Sequence, residues 1–558
     1  MSILMQRLFN QTETKTADFA FIGGGTSATS DIYALLDELE KRGLSNITIE
    51  VFEKDDRLGS GKAWSSKQHQ ALTANDPHLG MIMFAKNPKR FYEWYQSNLL
   101  RLKKTYPHLR DRLNTNTQGP DRFALRFILG EYAEEEFRDM IKRANKIGIK
   151  IKTNTRTEIV DAQCACNETW HLRSQNNQIF KAKNLKLARG PLPSDTYTTL
   201  HDQQNYHPDA LDEEELKKIT SDEDVVIMGS GLTAIDCAKT LIESGHRGKI
   251  YFVSRNGRLP SVKDRPDGQV RRLKFLTPEN LDKKDLKLDE VLALLTQEIA
   301  LASGKSVETE KMMKTAREFG SDPIATLEKE LKSVESGQVR PWSWIMGEIY
   351  FDVLPILGHH LSAADRGRFM NQIMSIYLRW MAGMTEDNAK RMLKLLKTGQ
   401  LQVLRTPEKN EELPTFNKIT NQWEVFARER VVTEIAGQKQ ETWIPKTIKA
   451  AHIINATGPG RNIHLDPLLN QMAKRGHIRQ HEHGGIDVTL DGLCVINKNG
   501  NPLTNCWASG QSTVACNPAA AGSIEWNARD SERFARQAVD KLQKTARKTA
   551  VASIRSAI

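Results

Sequence analysis

Apolar positions near the start of the chain change period twice within about forty residues. DFAFI is a short apolar run that breaks into three glycines, after which Ile32, Leu35, Leu36 and Leu39 recur on one helical face. Ile47, Ile49 and Val51 then alternate with polar residues as in a strand. Strand, glycine turn, helix and strand make a βαβ unit. The same succession returns at DVVIMGSGLTAIDCAKTLIESG followed by KIYFVSRNG, so the chain carries the arrangement twice.

Two further apolar runs, in NLKLARGPLPSD and AAHIINATGPGRN, end in an Ala-x-Gly-Pro turn, and they read as the two crossings between a first domain and a second one inserted into it. From about 277 to 401 the pattern is helical and charged, with a more apolar middle. From about 402 to 449 it alternates as antiparallel strands do. A final helical stretch, SIEWNARDSERFARQAVDKL, follows GLCVINKNG and NCWASGQS. The fold class expected is α/β, with two Rossmann-like (three-layer ββα/βαβ) dinucleotide-binding domains. The expected boundaries are 17–195 and 451–540 for the first domain, 196–450 for the second with its helical insertion at about 277–401, and 541–558 for a basic tail.

The glycine units carry the chemistry. Gly23, Gly25 and Ala28 fill the small positions of G-x-G-x-x-G/A, with Thr26 and Ser27 between the last two. Gly23 makes the tight turn, Gly25 lets backbone amides approach a pyrophosphate, and Ala28 lets helix and strand pack closely. The pyrophosphate then sits on the helix N-terminus. Glu53, at the end of the next strand, is placed to accept from both hydroxyls of an adenosine ribose. Gly229, Gly231 and Ala234 repeat the pattern around Leu232 and Thr233, but their following strand ends in Ser254 and Arg255. Arg255, with Ser254 and Arg258, suits a 2′-phosphate that a carboxylate would repel. Different ribose residues imply different nucleotides, FAD on the first unit and NADPH on the second.

Composition narrows the class. The chain has 558 residues, 39% hydrophobic and 27% charged, enough for two or three folded domains. Net charge is +11, but 80 Lys and Arg are interleaved with 69 Asp and Glu, which suits anionic small molecules and not nucleic acid. The C-terminal lysines and arginines around Lys541, Lys544, Arg547 and Lys548 read as a solvated helix end. The N-terminal apolar run is too short for a signal peptide, and no run reaches the roughly 18 residues of a membrane span, so a cytoplasmic location is expected. The six cysteines form no C-x-x-C pair and read as thiols; Cys164 and Cys166, one residue apart, are expected to share one face of a strand.

On FIGGGTSAT, VFEKDDRLGSGKAW, LRFILGEYAEEEF, VVIMGSGLTAIDCAKTL with GKIYFVSRNGRLP, INATGPG and WASGQST, the chain resembles the two-dinucleotide-domain flavoproteins that include flavin-dependent monooxygenases. More narrowly it is similar to a bacterial FAD-NAD(P)-binding family with N-hydroxylating relatives. The resemblance places Glu53 and Lys54 at the FAD ribose, Gly59 and Gly61 at the turn toward the flavin, and Trp64 and Asn75 nearby. It places Arg126 at a phosphate, Gly458 at the second crossing, and Gly510 near the ribityl chain and pyrophosphate. Gln511 stands where that motif usually has Asp, although its amide can still hydrogen-bond a hydroxyl. The first crossing reads Ala188-Arg189-Gly190 in place of Ala-Thr-Gly, and RWMAGM from Arg379 replaces an Arg/His-rich motif of relatives.

Missing motifs exclude neighbouring activities. No C-x-x-C or C-x4-C pair accompanies either unit, which argues against dithiol reduction. The Baeyer–Villiger fingerprint is missing, and a second nucleotide unit is superfluous in an amine oxidase. The expected activity is an NADPH-dependent monooxygenase that forms a C4a-hydroperoxyflavin with O2 and N-hydroxylates a small amine or amino acid. A dehydrogenase feeding a quinone or partner protein, and a flavin-binding regulatory or scaffold protein, are the alternatives. No catalytic residue is assigned and no metal is expected.

Overall fold

The structure is a computed structural model; it describes residues 15–115, 123–265, 269–407, 413–435, 438–518 and 523–557. Side chains beyond 545 fall outside that description, so Arg547 and Lys548 do too.

The apolar run before the first glycines forms the strand Ala17–Ile22, buried along nearly its whole length. It lies between Thr48–Phe52 and Ile179–Leu187, parallel to both, with Ile22 level with Phe52 and Leu187. Lys150–Asn154 extends the sheet on one side and Pro502–Ala508 on the other, both parallel. Such double burial is why these strands read as apolar runs. Ile159–Cys164 and Trp170–Ser174 add an antiparallel pair against Ile179–Leu187. Cys166 lies past the end of that strand in an exposed turn while Cys164 is half-buried, so the expected shared strand face does not form.

A second sheet is built from the segment between the two crossings. Its parallel strands are Leu401–Arg405, Ile250–Ser254, Val225–Met228, His452–Asn455 and Tyr206–His207, in that spatial order. The long strands Gln422–Ile435 and Gln438–Ala450 pair antiparallel at its edge. Ile250–Ser254 and Leu401–Arg405 are neighbours in this sheet, so the helical stretch from Pro278–Leu281 to Glu386–Lys397 is one long crossover between adjacent parallel strands. Its own core, including Ile345, Leu354 and Phe369, also takes in Trp526 of the C-terminal helix Ile524–Ala557.

The first sheet therefore takes its strands from both ends of the chain, and the second takes all of its strands from the middle. The two crossings lie against each other: Leu192 bridges Gly460, Asp195 accepts from the amide of Arg461 at 2.7 Å, and the Thr196 and Thr457 hydroxyls are 2.5 Å apart. The unusual Arg189 is held by Asp466 at 2.5 Å, which accounts for an arginine where a small hydroxyl is customary. The C-terminal helix packs along Thr26–Lys41. Phe534 meets Phe21 edge-on at 6.0 Å, and the Ser531 hydroxyl donates to buried Asp31 at 2.8 Å. Lys541 and Lys544 continue this helix, so they are not a separate tail. Among the described residues no helix is long and apolar enough to cross a membrane.

Candidate functional site

The first cradle is a strand-to-helix turn with no room for side chains. Gly23 has φ +107°, and a Cβ there would overlap the carbonyl of Ala188 on the neighbouring strand. Gly25 caps the helix Thr26–Lys41 without any side-chain hydrogen bond, and the first turn holds no acidic residue. The leading amides of the helix are thus left for an anion. Ala28 is fully buried against the sheet, Thr26 is buried, and Ser27 is half-buried at the helix start. Glu53 is buried, and its carboxylate accepts from the amide of Gly24 at 2.7 Å and from that of Asp55 at 3.0 Å. Both oxygens keep a lone pair for further donors. Lys54 beside it is exposed.

The chain after Glu53 folds back onto the glycines. The Gly59 amide donates to the carbonyl of Gly24 at 2.7 Å, and a Cβ on Gly25 would stand 3.1 Å from the Cα of Gly61. Gly510, with φ +76°, closes the other side; a Cβ there would be 3.3 Å from Ser27 Oγ and 4.0 Å from Asn527 Oδ1. Asn527, on the C-terminal helix, is a residue that sequence reasoning missed. Its Oδ1 is buried without a hydrogen-bond partner, as are the Oδ1 atoms of Asn75 and Asn517. Gln511 follows Gly510 in the same short helical turn. Trp64 is half-buried and packs on the core of the first unit.

The second cradle repeats the backbone logic. Gly229 has φ +128°, and a Cβ there would overlap the carbonyl of Ala456, while Gly231 caps Leu232–Glu243 with no side-chain bond and no acidic first turn. Leu232 and Thr233 are half-buried at the helix start, and Ala234 is fully buried. Gly458, φ +96°, stands at the end of the neighbouring strand with open space around it. Ser254 is taken up by the turn, its hydroxyl accepting from Ser230 at 2.8 Å.

The arginines divide. Arg255 is exposed and has no carboxylate partner among the described residues. Arg258 departs from expectation: its guanidinium donates to the carbonyls of Glu318 at 2.6 Å and Phe319 at 3.2 Å, satisfying a helix end. That helix belongs to the insertion, so one nitrogen of the Arg258 guanidinium braces the insertion. Its place beside Arg255 is taken by Arg405. Strand register puts Arg405 level with Ser254, its Nε donates to the Arg255 carbonyl at 3.3 Å, and its guanidinium lies 5.9 Å from the Trp443 ring centroid. Sequence spacing hides this neighbour because 150 residues separate the two arginines.

Arg126 also departs from expectation. It is buried and paired with buried Asp236 on the second glycine helix at 2.6 Å, and it donates to the carbonyl of Thr73 at 3.1 Å. Two of its nitrogens thus tie the two units together, while its Nε is buried without a hydrogen-bond partner. Lys263 makes a second tie, to Asp76 at 2.6 Å, immediately beside Asn75. The loop carrying Lys263 is pinned by Arg340, which holds Asp264 at 2.7 Å and pairs with Glu330. On the second glycine helix, Lys239 donates to Asn388 at 2.9 Å, and burial pulls its pKa down to about 8. Arg379, the first residue of RWMAGM, is buried and donates to the carbonyls of Phe319 and Ala316, a structural use.

Residues 20–192 match the FAD-NAD(P)-binding family. A protein of Escherichia coli (strain K12), YdhS, is 22% identical over 440 residues, which span 70% of this chain and 77% of that protein. Among solved structures, the reduced form of ornithine hydroxylase (PvdA) from Pseudomonas aeruginosa superimposes with a TM-score of 0.55 at 13% identity, covering 95% of this chain and all of that one (100%). The ornithine N-hydroxylase of Kutzneria sp. 744, solved with reduced FAD, NADP+ and L-ornithine, gives 0.51 at 10% identity, covering 94% of this chain and 100% of that one. At these identities the likeness is one of fold: two dinucleotide-binding units in one chain.

Proposed function

We propose, from the premise that this is an α/β protein with an FAD-NAD(P)-binding domain and a second nucleotide unit, that it is an FAD- and NADPH-dependent monooxygenase N-hydroxylating a small amine or amino acid. Residues 17–195 with 451–540 form the FAD domain in this reading, and 196–450 the NADPH domain. The observation that carries it is the pair of uncapped glycine-turn helices, one followed by a buried carboxylate and the other by arginines with no carboxylate partner among the described residues. The N-hydroxylating relatives of the same fold support the choice of reaction.

FAD would supply the redox chemistry, taking a hydride from NADPH and passing the electrons to O2. The chain's own residues bind and align. Gly23, Gly25 and Ala28 give the flavin diphosphate its seat on Thr26–Lys41, and Glu53 takes the ribose hydroxyls. Gly61 lets the loop after Glu53 lie over that seat. Gly510, Gln511 and Asn527 offer amides and carbonyls to the ribityl chain, the asparagine supplying an acceptor where the motif lacks its usual Asp. Asn75 has an orphaned acceptor next to the Asp76–Lys263 tie, where the two units meet. Gly229, Gly231 and Ala234 seat the NADPH diphosphate, and Arg255 with Arg405 holds the 2′-phosphate. The protein works in the cytoplasm, consistent with its free thiols.

The test is coupled turnover in air. Purified holoenzyme is given NADPH and a panel of ornithine, lysine and short diamines, with O2 uptake and hydroxylamine product measured together. Product formed in step with O2 consumption supports the proposal. NADPH oxidation that runs only with a quinone, with no N-hydroxylated product from any amine, replaces it by the dehydrogenase reading.

A further inference from the structure

A cavity of about 540 Å3 lies between the insertion and the returning segment of the first unit, lined by His359, Arg366, His481, Asp487 and Cys516 among others. Three of these bring different donor atoms together. A ring nitrogen of His481, a carboxylate oxygen of Asp487 and the sulfur of Cys516 lie within 4.8 Å of one another, and all three residues are buried. Cys516 Sγ is 3.4 Å from Asp487 Oδ1. We propose that His481, Asp487 and Cys516 bind a divalent d-block cation of borderline softness, Zn2+ being the natural occupant, with water in the fourth position on the cavity side. The proposal is independent of the redox reading above.

The donor set decides the class of ion. Imidazole with thiolate selects zinc-like cations over magnesium or calcium, which call for all-oxygen shells. The neighbourhood supplies the supports such a site needs. Arg479 holds the other oxygen of Asp487, its Nε at 2.8 Å, which fixes the carboxylate and turns Oδ1 toward the sulfur. Of the two arginines at the cavity, Arg479 is paired with Asp487, and Arg366 with Glu482 at 3.0 Å. Without metal the cluster is closed by hydrogen bonds: the thiol of Cys516 donates to Asp487, and Nδ1 of His481 accepts from the amide of His483 at 3.2 Å. Binding exchanges protons for metal. The Cys516 S–H bond breaks, a sulfur–metal bond forms, and the proton leaves to solvent with no change of oxidation state.

The experiment uses the full-length, FAD-loaded protein stripped with a chelator and titrated with Co2+, whose ligand-field bands lie to the red of flavin absorption. The expected result is saturation at one ion per chain with the intense bands of a tetrahedral thiolate site, displacement by Zn2+, and protection of Cys516 from alkylation. Cys516→Ser should keep the flavin spectrum and the far-ultraviolet circular dichroism while removing the intense bands. His481→Gln should weaken binding by about tenfold or more. Weak octahedral bands unchanged by Cys516→Ser, or alkylation of Cys516 at equal rates with and without Zn2+, would overturn the site.

Discussion

Arg255 and Arg405 stand side by side with no carboxylate to share them among the described residues, whereas Arg258, three residues from Arg255, donates to the end of a helix. This division predicts which arginine reads the nucleotide. Arg255→Ala and Arg405→Ala should each weaken NADPH by about tenfold to a hundredfold, the loss of one charge-assisted hydrogen bond, and leave NADH unaffected. Arg258→Ala should leave the NADPH-to-NADH ratio unchanged and lower the melting temperature instead. The dependence of flavin reduction rate on nucleotide concentration separates the three variants. Equal loss with both nucleotides would move the 2′-phosphate elsewhere. The local part of this site was legible because a glycine turn, its helix and the end of the next strand lie within about thirty residues. Arg405 was not, because only sheet register brings it to Ser254; nor was the engagement of Arg258, whose partner is in a distant helix. The pairing of Arg126 was hidden for the same reason: its short motif gives no sign of Asp236.

At the level of elements, the glycine turns are fixed by their neighbours' backbones. Gly23→Ala should abolish FAD retention, since the new methyl meets the Ala188 carbonyl and positive φ strains any side chain. Absorbance of the purified variant near the flavin maximum checks this. The C-terminal helix is secured behind the same cradle by buried polar groups. Asp530 is fully buried, donated to by Asn517 at 3.1 Å, and burial raises its pKa to about 7 from an ordinary value of 3.8. Because the folded state holds this proton more tightly than the unfolded one, the stability it contributes is present below about pH 4 and is lost as pH rises toward 7. Asp530→Asn should therefore flatten the fall in melting temperature over that interval, by a few kcal/mol at most. A variant whose melting temperature keeps the wild-type slope would show that Asp530 is ionised throughout. The helical period of this element was plain in the sequence, but its docking on Thr26–Lys41 was not, since the contacts span nearly 500 residues (Arg42 with Asp540, for instance, 498 apart).

Across the whole molecule, two ties hold the cradles in a fixed relation, Arg126 with Asp236 and Lys263 with Asp76. The first is buried on both sides, so removing one partner strands a charge. Asp236→Ala should cost about 3 to 5 kcal/mol in urea unfolding, and Arg126→Met with Asp236→Leu should recover much of it. A loss well under 1 kcal/mol would mean that the pair does not persist in solution. The two-crossing layout was readable from the repeated Ala-x-Gly-Pro strand ends, whereas the reach of the insertion back to Trp526 and Cys516 required the folded chain.

The relation of the two cradles is tested most directly by adding NADPH to the FAD-loaded protein without oxygen and following the flavin absorbance. Nicotinamide brought against the flavin predicts rapid bleaching with NADPH and slower bleaching with NADH. A flavin that stays fully oxidised with both nucleotides would contradict the account.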